Sequence, residues 1–536
     1  AIELSRLPEI DSMSSVVSIA PSSRTSTAKG PNISNLDSYD PVRAQQAREL
    51  LGFTGKGVII GVIDTGIDVD HPDFKTASGQ TRVLRLWDQT ITTPYKSFRG
   101  VGTVYDSSEI NRGECKSVDS QGHGTHVAGV AAGNGRGNSG ELSIIGVAPG
   151  ADLVVVKFHD LAQAGLEAEI INGISFIRET AQQLNKRYVV NLCAGTFTGP
   201  RDGTDFFETS LSRFLTDVTD TLLGGIVALA GNENYSETVA DTLREDNDRM
   251  HTRKSGPSEF ALEVATDEVS DQIDLCRVQI WYPKGDNFWA SVISPSGHVT
   301  GPIAPDSVID AVTPEGEVFV SNMTLSPSAL SNLVEVLIYD PVDSLLAQVY
   351  PLHNGEWRIA MDSGSGTWDG YVVLHSPEDV IKAIREQDHS NEYKIRGGGN
   401  TGPVITVGAF NAYSPKDTVA YPLDSVSYFS SQGPSRNGLN KPDLYAPGDY
   451  VASAASSQVT NQELPFLDSQ KRYVVMQGTS QAVPHVAGAI ALLLEKRPDL
   501  RNWEVREILL QSARIVDGKH YLNVFQMLDL ADTWPR

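Results

Sequence analysis

The segment Val58-Ile59-Ile60-Gly61-Val62-Ile63 is an apolar run with no polar alternation. A strand wetted on one side alternates hydrophobic and polar residues. A run that is apolar at every position fits a strand covered on both faces, as in a parallel sheet with helices on each side. Comparable runs recur at Leu153–Val156, Tyr188–Leu192, Ile226–Ala230 and Val404–Val407. Helical patterns lie between them at Leu166–Leu184 and Phe206–Leu222, and a short helix is expected over Pro41–Leu51, ahead of the turn Gly55-Lys56-Gly57. Strand and helix alternating in this way predict a doubly wound α/β domain.

The pattern changes between residues 245 and 398. Short alternating segments appear there, at Val278–Tyr282, Phe288–Ile293, Val334–Tyr339, Trp357–Met361 and Tyr371–Leu374. Turns such as Pro283-Lys284-Gly285-Asp286 and Ser294-Pro295-Ser296-Gly297 separate them. Many short strands with this punctuation predict an antiparallel β-sandwich or jelly roll. The α/β pattern resumes after Gly397-Gly398-Gly399, so the sandwich is read as an insertion at 245–398 between two parts of one domain, 33–244 and 399–536. Residues 1–32 stand apart. Segment 11–26 carries seven serines and little periodicity, which reads as a flexible or processed region.

The formal charge of −24 argues against nucleic-acid or anionic-membrane binding, which need clustered Lys and Arg. The longest apolar run near the chain's end, Val486–Leu494, falls well short of the ~18 residues of a membrane span. The sequence opens without Met or a signal-peptide pattern, as expected of a processed chain. Cys115, Cys193 and Cys276 are scattered and odd in number, and make neither a disulfide framework nor a zinc cluster.

Three segments carry chemistry. Asp64 ends the first buried strand and precedes Thr65-Gly66, and ligands of open α/β sheets bind beyond the carboxyl ends of strands. Taken alone, Asp-Thr-Gly could equally be a turn or cap. Gly122-His123-Gly124-Thr125-His126-Val127-Ala128-Gly129 surrounds a histidine with small residues that permit close approach. His123 and His126 lie one helical turn apart without a partner suited to zinc, so no metal is assigned; His123 suits a general base and His126 packing or hydrogen bonding. Gly478-Thr479-Ser480-Gln481-Ala482 opens an apolar helix. A serine there is ordinarily a cap, yet the free N–H groups and dipole of a helix start also suit a nucleophile whose attack creates an oxyanion. Ala482 breaks the G-x-S-x-G elbow of the α/β-hydrolases.

Together, Val62–Gly66, the His123 octapeptide and the Ser480 segment resemble the three signature motifs of the subtilisin-like serine proteases, the subtilases, in that family's order Asp, His, Ser. His71-Pro72-Asp73-Phe74, Gly146–Pro149, Phe429–Pro434 and Lys441–Gly448 resemble further family segments. The likeness covers residues 41–240 and 399–530. A long stretch between Asp64 and His123, Thr76–Lys116 with Trp87 and Tyr95, joined to a β-sandwich ahead of the serine, resembles the clostridial spore-germination branch. Some members of that branch have lost their triads; this chain retains all three residues.

The resemblance implies a secreted or cell-envelope serine endopeptidase with Asp64, His123 and Ser480 as triad. Asn232, in Ala230-Gly231-Asn232-Glu233-Asn234, would be the oxyanion donor. Losing such a donor costs ~2.7–4 kcal/mol in subtilisin. Asn191-Leu192-Cys193-Ala194-Gly195 matches the strand along which the family pairs an extended substrate. Cys193, Ala194, Gly195, Ala230 and Gly231 are therefore expected to bind a protein or peptide substrate, although Cys193 is also read as a buried small residue. Gln481 and Val483 depart from the family's Met and Ala. Residues 1–20 resemble the tail of an inhibitory propeptide, a partner in its own right, cut within Ser22–Pro31. No cofactor is needed for the chemistry. A structural Ca²⁺ is common in the family and Asp73 matches one ligand position, but the loop Asn134–Ser143 differs too far to supply the rest. The competing readings are a non-catalytic binding or regulatory scaffold on the same fold, an esterase, and a chain whose biology rests on the inserted module.

Overall fold

A computed structural model describes residues 42–535 except 94, 140–142, 160–164, 197, 235–249, 265–274, 326–328, 340–351, 374–380, 413–423 and 460–463. Residues 1–32, including the expected propeptide tail, lie outside the described residues, as does the expected boundary at 244/245.

In chain order, helix α1 (Ala44–Leu51) leads into strand β1 (Ile59–Asp64). Next come β2 (Val83–Asp88), β3 (Thr103–Asp106), the short α2 (Ser107–Asn111) and α3 (His123–Ala132). Then follow β4 (Asp152–Lys157), α4 (Leu166–Leu184), β5 (Tyr188–Leu192), α5 (Phe206–Thr216) and β6 (Leu223–Leu229). Helix α5 stops six residues short of the expected Leu222. The Asp217 carboxylate accepts the Thr219 N–H at 3.0 Å, and Asp220 accepts those of Leu222 and Leu223. Such local turns compete with a helix wherever Asp and Thr cluster.

Eleven strands follow: β7 (His251–Ser255), β8 (Ser258–Val264), β9 (Leu275–Pro283), β10 (Trp289–Ile293), β11 (Val299–Ile303), β12 (Ser307–Thr313), β13 (Gly316–Met323), β14 (Ser331–Tyr339), β15 (Gly355–Asp362), β16 (Thr367–Val373) and β17 (Ile381–Ile384). They form two sheets, ordered β11-β10-β15-β8-β17 and β12-β13-β14-β9-β16-β7, with antiparallel pairings throughout. Side chains from both enter one buried cluster, among them Phe260, Trp357 and Ile359 from the first and Val278, Val336 and Trp368 from the second.

The chain then adds β18 (Ile405–Phe410), β19 (Leu444–Pro447), β20 (Val451–Ala454), β21 (Tyr473–Met476), α6 (Thr479–Lys496), α7 (Asn502–Gln511), β22 (Arg514–Val516), β23 (Lys519–Tyr521) and α8 (Val524–Thr533). Strands from both sides of the eleven make one ten-stranded sheet, ordered β22-β23-β19-β18-β6-β5-β1-β4-β2-β3. It is parallel except for the β2–β3 and β22–β23 pairs at its edges.

The apolar runs now have their reason. Successive residues of a strand point to opposite faces. Ile60, Val62, Val155 and Val189 enter a core shared with α3 and α6, whereas Ile59, Ile63, Val154 and Val190 enter one shared with α4 and α5. Helix α4 comes so close to β1 that a Cβ on Gly61 would sit 2.6 Å from Ile177. The stretch 76–116 adds two strands at one end of the sheet, β3 being its edge. Its Trp87 belongs to the core, with Phe98 at 4.9 Å and Phe176 at 5.4 Å, while Tyr95 is exposed.

A polar joint ties the two-sheet region to the ten-stranded part. Arg436 donates to Asp369 of β16 at 2.6 Å, to the Trp281 carbonyl at 3.1 Å and to the Pro200 carbonyl at 3.0 Å. His251 and Arg253 also reach Asp369. Burial pushes this carboxyl up, but the His251 hydrogen bond and the charges of Arg436 and Arg253 outweigh that and bring it down to about 2.

Candidate active site

The sheet order sets where chemistry can occur. From β1 the chain passes to β2, β3 and then β4 on one side; from β5 it passes to β6 on the other. The crevice beyond the carboxyl ends of β1 and β5 is therefore the topological switch point, the usual ligand site of an open α/β sheet. Asp64 is the last residue of β1, and Cys193-Ala194-Gly195 leaves the end of β5.

His123 is the first residue of α3. The joint between α3 and β1 needs small residues, since a Cβ on Gly124 would lie 3.1 Å from that of Asp64. His123 Nδ1 pairs with Asp64 Oδ1 at 2.7 Å, and the same oxygen accepts the Thr65 N–H at 2.7 Å. Both side chains are buried, Asp64 wholly and His123 to 4% exposure. Asp119 organises this corner, though nothing in its neighbours along the chain marks it. Its Oδ1 accepts from Thr65 Oγ1 at 2.8 Å and Gly122 N at 2.9 Å; its Oδ2 accepts from Thr125 N at 2.9 Å and Thr125 Oγ1 at 2.6 Å. The carboxylate thus satisfies orphan donors at the start of α3, where the helix dipole favours negative charge. His126 points elsewhere, its Nε2 bonded to the Val451 carbonyl at 3.0 Å. Burial pushes its imidazole down to about 3.

Ser480 is the second residue of α6, and the cap position belongs to Gly478. Asn232 reaches this helix start: its Oδ1 accepts Thr479 N at 2.8 Å and Thr479 Oγ1 at 2.9 Å. With the oxygen engaged, the Asn232 amide nitrogen is its remaining polar end. Pro484 sits inside α6 and has no N–H for the carbonyl of Ser480, four residues earlier. The Cys193 thiol donates to that carbonyl instead, at 3.2 Å. Burial, and then the charge of Asp64, push this thiol well above its ordinary range, so it stays a protonated donor. Its side chain is sealed from solvent. Cys193 therefore anchors the helix bearing Ser480 to the end of β5, and any contact it makes with a bound chain is through its backbone.

Ala194, Gly195, Ala230 and Gly231 lie on two neighbouring segments, both buried. Arg396 bridges them: its N–H donates to the Ala230 carbonyl at 3.0 Å, and Gly397 N donates to the Thr196 carbonyl at 3.1 Å.

The comparisons with known proteins bear on the family and the fold. The sequence profile of the Subtilase family, the S8 peptidases, matches residues 55–250 and 295–527. The chain belongs to the subtilase family. Among this subtilase's relatives is the minor extracellular protease Vpr of Bacillus subtilis (strain 168), 25% identical over 498 residues that span 88% of this chain and 49% of Vpr. Serine protease AprX of the same strain is 35% identical over 153 residues, 25% of this chain and 33% of AprX. The chain thus spans about half the length of Vpr and a third of AprX. Among solved structures, the Clostridium perfringens CspB protease superposes with a TM-score of 0.72 at 24% identity, covering 93% of this chain and 100% of that one. It shares the α/β fold.

The calcium expectation meets a different donor set. Asp73 Oδ1 accepts from Gly137 N at 2.7 Å and the Tyr473 hydroxyl at 2.9 Å. The Arg82 guanidinium already gathers the carbonyls of Asp73, Ala132 and Ala151. Burial lowers Arg82 to about 10, which leaves it charged at neutral pH. Among the described residues no three His, Cys, Asp or Glu side chains converge on one point. Calcium takes 6–8 oxygen ligands, and the described residues around Asp73 do not gather such a set.

Proposed function

We propose that this subtilase is a serine endopeptidase in which Ser480 is the nucleophile, His123 the general base and Asp64 its orienting carboxylate. The observation that carries the reading is the buried 2.7 Å pairing of His123 Nδ1 with Asp64 Oδ1, at the switch point of a chain of this family. With Nδ1–H committed to the carboxylate, Nε2 is the basic nitrogen. It takes the Ser480 hydroxyl proton as Oγ bonds to the substrate carbonyl carbon, then delivers it to the departing amine as the C–N bond breaks. Water then bonds to the acyl carbon of the resulting ester as His123 takes its proton, and His123 returns that proton to Ser480 Oγ as the C–Oγ bond breaks and the acid is released. The oxyanion of each tetrahedral intermediate is met by the Asn232 amide and by the N–H of Ser480, which lies in the first turn of α6 and has no intrahelical acceptor.

The substrate is an extended protein or peptide segment lying against Cys193–Gly195 and Ala230–Gly231 by backbone pairing. Strands β7–β17 are an inserted β-sandwich, supported by the single core their two sheets share. The N-terminal residues act as an inhibitory propeptide, and the enzyme works outside the cytoplasm, at the cell envelope or beyond it. Among the described residues no helix is long and apolar enough to cross a membrane.

A fluorophosphonate probe tests the chemistry, because labelling needs an activated serine. Wild type is expected to label at Ser480 and to cleave a peptide library, and Ser480→Ala to do neither. A well-folded wild type that neither labels nor cleaves would make the chain a non-catalytic scaffold.

A further inference from the structure

If the scissile carbonyl lies at Asn232, the side chain attached to that same residue must be housed beside Gly231, facing Gly195. That recess is occupied by the chain itself. A Cβ on Gly195 would lie 3.3 Å from Arg396 Cβ and 3.7 Å from its Cδ, and one on Gly231 would lie 3.0 Å from its Cγ. The stem of Arg396 therefore runs between the two segments. It is one of the largest fully buried side chains of the protein. Its backbone is fixed as well, since the Arg396 carbonyl accepts Gly399 N and Asn400 Nδ2, each at 3.0 Å.

The head of Arg396 meets the residue after Asn232. Its Nε donates to Glu233 Oε1 at 2.9 Å, and a second guanidinium nitrogen reaches the same oxygen. Ser431 Oγ donates to Glu233 Oε2 at 2.9 Å, and Lys394 Nζ donates to the Glu233 carbonyl at 2.7 Å. Burial pushes the Glu233 carboxyl up, and Arg396 more than offsets this, holding it below its usual range. The recess thus ends in a carboxylate whose charge is already matched.

We infer that Arg396 is a specificity-determining residue: by filling the recess and neutralising Glu233, it restricts the position on the N-terminal side of the scissile bond to small, uncharged side chains. This rests on the peptidase reading above. Long apolar side chains meet the Arg396 stem. Lys and Arg find no free counter-charge and would add a further cation to a desolvated site that already holds Arg396, Lys394 and Arg201.

The test is a peptide library differing only at that position, digested by wild type, Ser480→Ala, Arg396→Ala and the double variant Arg396→Ala/Glu233→Gln. Circular dichroism and fluorophosphonate labelling report folding and an intact nucleophile. Wild type is expected to cut after Gly, Ala and Ser. Arg396→Ala uncovers the Glu233 charge in an enlarged recess, so kcat/KM after Lys or Arg, relative to Ala, rises by about tenfold or more. The double variant removes both members of the Arg396–Glu233 pair and serves where the single one fails to fold. It should gain Met, Leu and Phe by a similar factor without gaining Lys. Wild type cutting readily after Lys, Arg or aromatic residues would overturn the inference, as would either labelled variant keeping the wild-type profile. A wild type that cleaves nothing, or a Ser480→Ala protein that still cleaves, would count against the peptidase reading instead.

Discussion

Replacing Asp119 by Ala tests whether the corner joining β1 to α3 depends on one buried carboxylate. The substitution removes the acceptor of four hydrogen bonds. The two hydroxyl donors, on Thr65 and Thr125, can rotate. They must nevertheless keep accepting from Gly124 N and Asp68 N, each at 2.9 Å. The two backbone donors, Gly122 N and Thr125 N, cannot turn away. A buried donor left unsatisfied costs about 1–3 kcal/mol, so the pair accounts for about 2–6 kcal/mol. Because Gly122 and Thr125 flank His123, the same change should loosen the imidazole and lower kcat more than it raises KM. Stability is read from urea unfolding in a Ser480→Ala background, which prevents self-digestion, and activity from peptide hydrolysis in the active background. A loss below about 1 kcal/mol together with an unchanged kcat would refute the assignment of Asp119 as the organiser of this corner.

Three further outcomes are expected. Asp64→Asn should fold normally but lower kcat by about 10⁴-fold, as the same exchange does in an unrelated Asp-His-Ser triad, because the amide selects the wrong imidazole tautomer; a drop below tenfold in steady-state assays would contradict the proposed role. Gly129→Ala in α3 would place a Cβ 2.9 Å from the Cβ and 3.0 Å from the backbone nitrogen of Ala454, and should cost about 1–3 kcal/mol by overpacking the contact with β20, visible as a lowered urea midpoint. His126, pushed down to about 3 by burial, binds its proton more readily when unfolded. Its contribution to stability is therefore whole above about pH 6.5 and declines as the pH falls toward 3, by about 1.4 kcal/mol per unit. Unfolding midpoints of Ser480→Ala with and without His126→Gln, followed from about pH 7 to 4.5, should diverge in acid sensitivity, and parallel curves would remove His126 from the account.

The parts of the candidate site that rest on local sequence can be picked out along the chain. Asp64 closes an unbroken apolar run, and His123 and Ser480 each open a helix rich in small or apolar residues. Those are statements about neighbours along the chain. Asp119 and Arg396 could not be found that way. Asp119 lies in the polar stretch Ser117–Gly122, with no periodicity to mark it. Arg396 leads into three glycines that signalled only the return of the α/β pattern. Both act across the fold, Arg396 on Glu233 from 163 residues away. The same limit applies to strands. Val278–Tyr282 and Trp357–Met361 alternate clearly and were legible, whereas β7 (His251–Ser255) reads as polar and charged. It becomes a strand because His251 and Arg253 pair with Asp369 of β16. Cys193 showed its small volume in the sequence, but not that its thiol would meet a carbonyl left without a donor by Pro484.

The joint at Arg436 bears on how such a chain can change over time. Its guanidinium is held at once by Asp369 and the Trp281 carbonyl from among β7–β17, and by the Pro200 carbonyl from the ten-stranded side. Without strands β7–β17 this guanidinium would lose Asp369 and the Trp281 carbonyl and turn to solvent, keeping the Pro200 carbonyl and, at 3.9 Å, Asp202. Excision would thus bare a surface that the joint now covers.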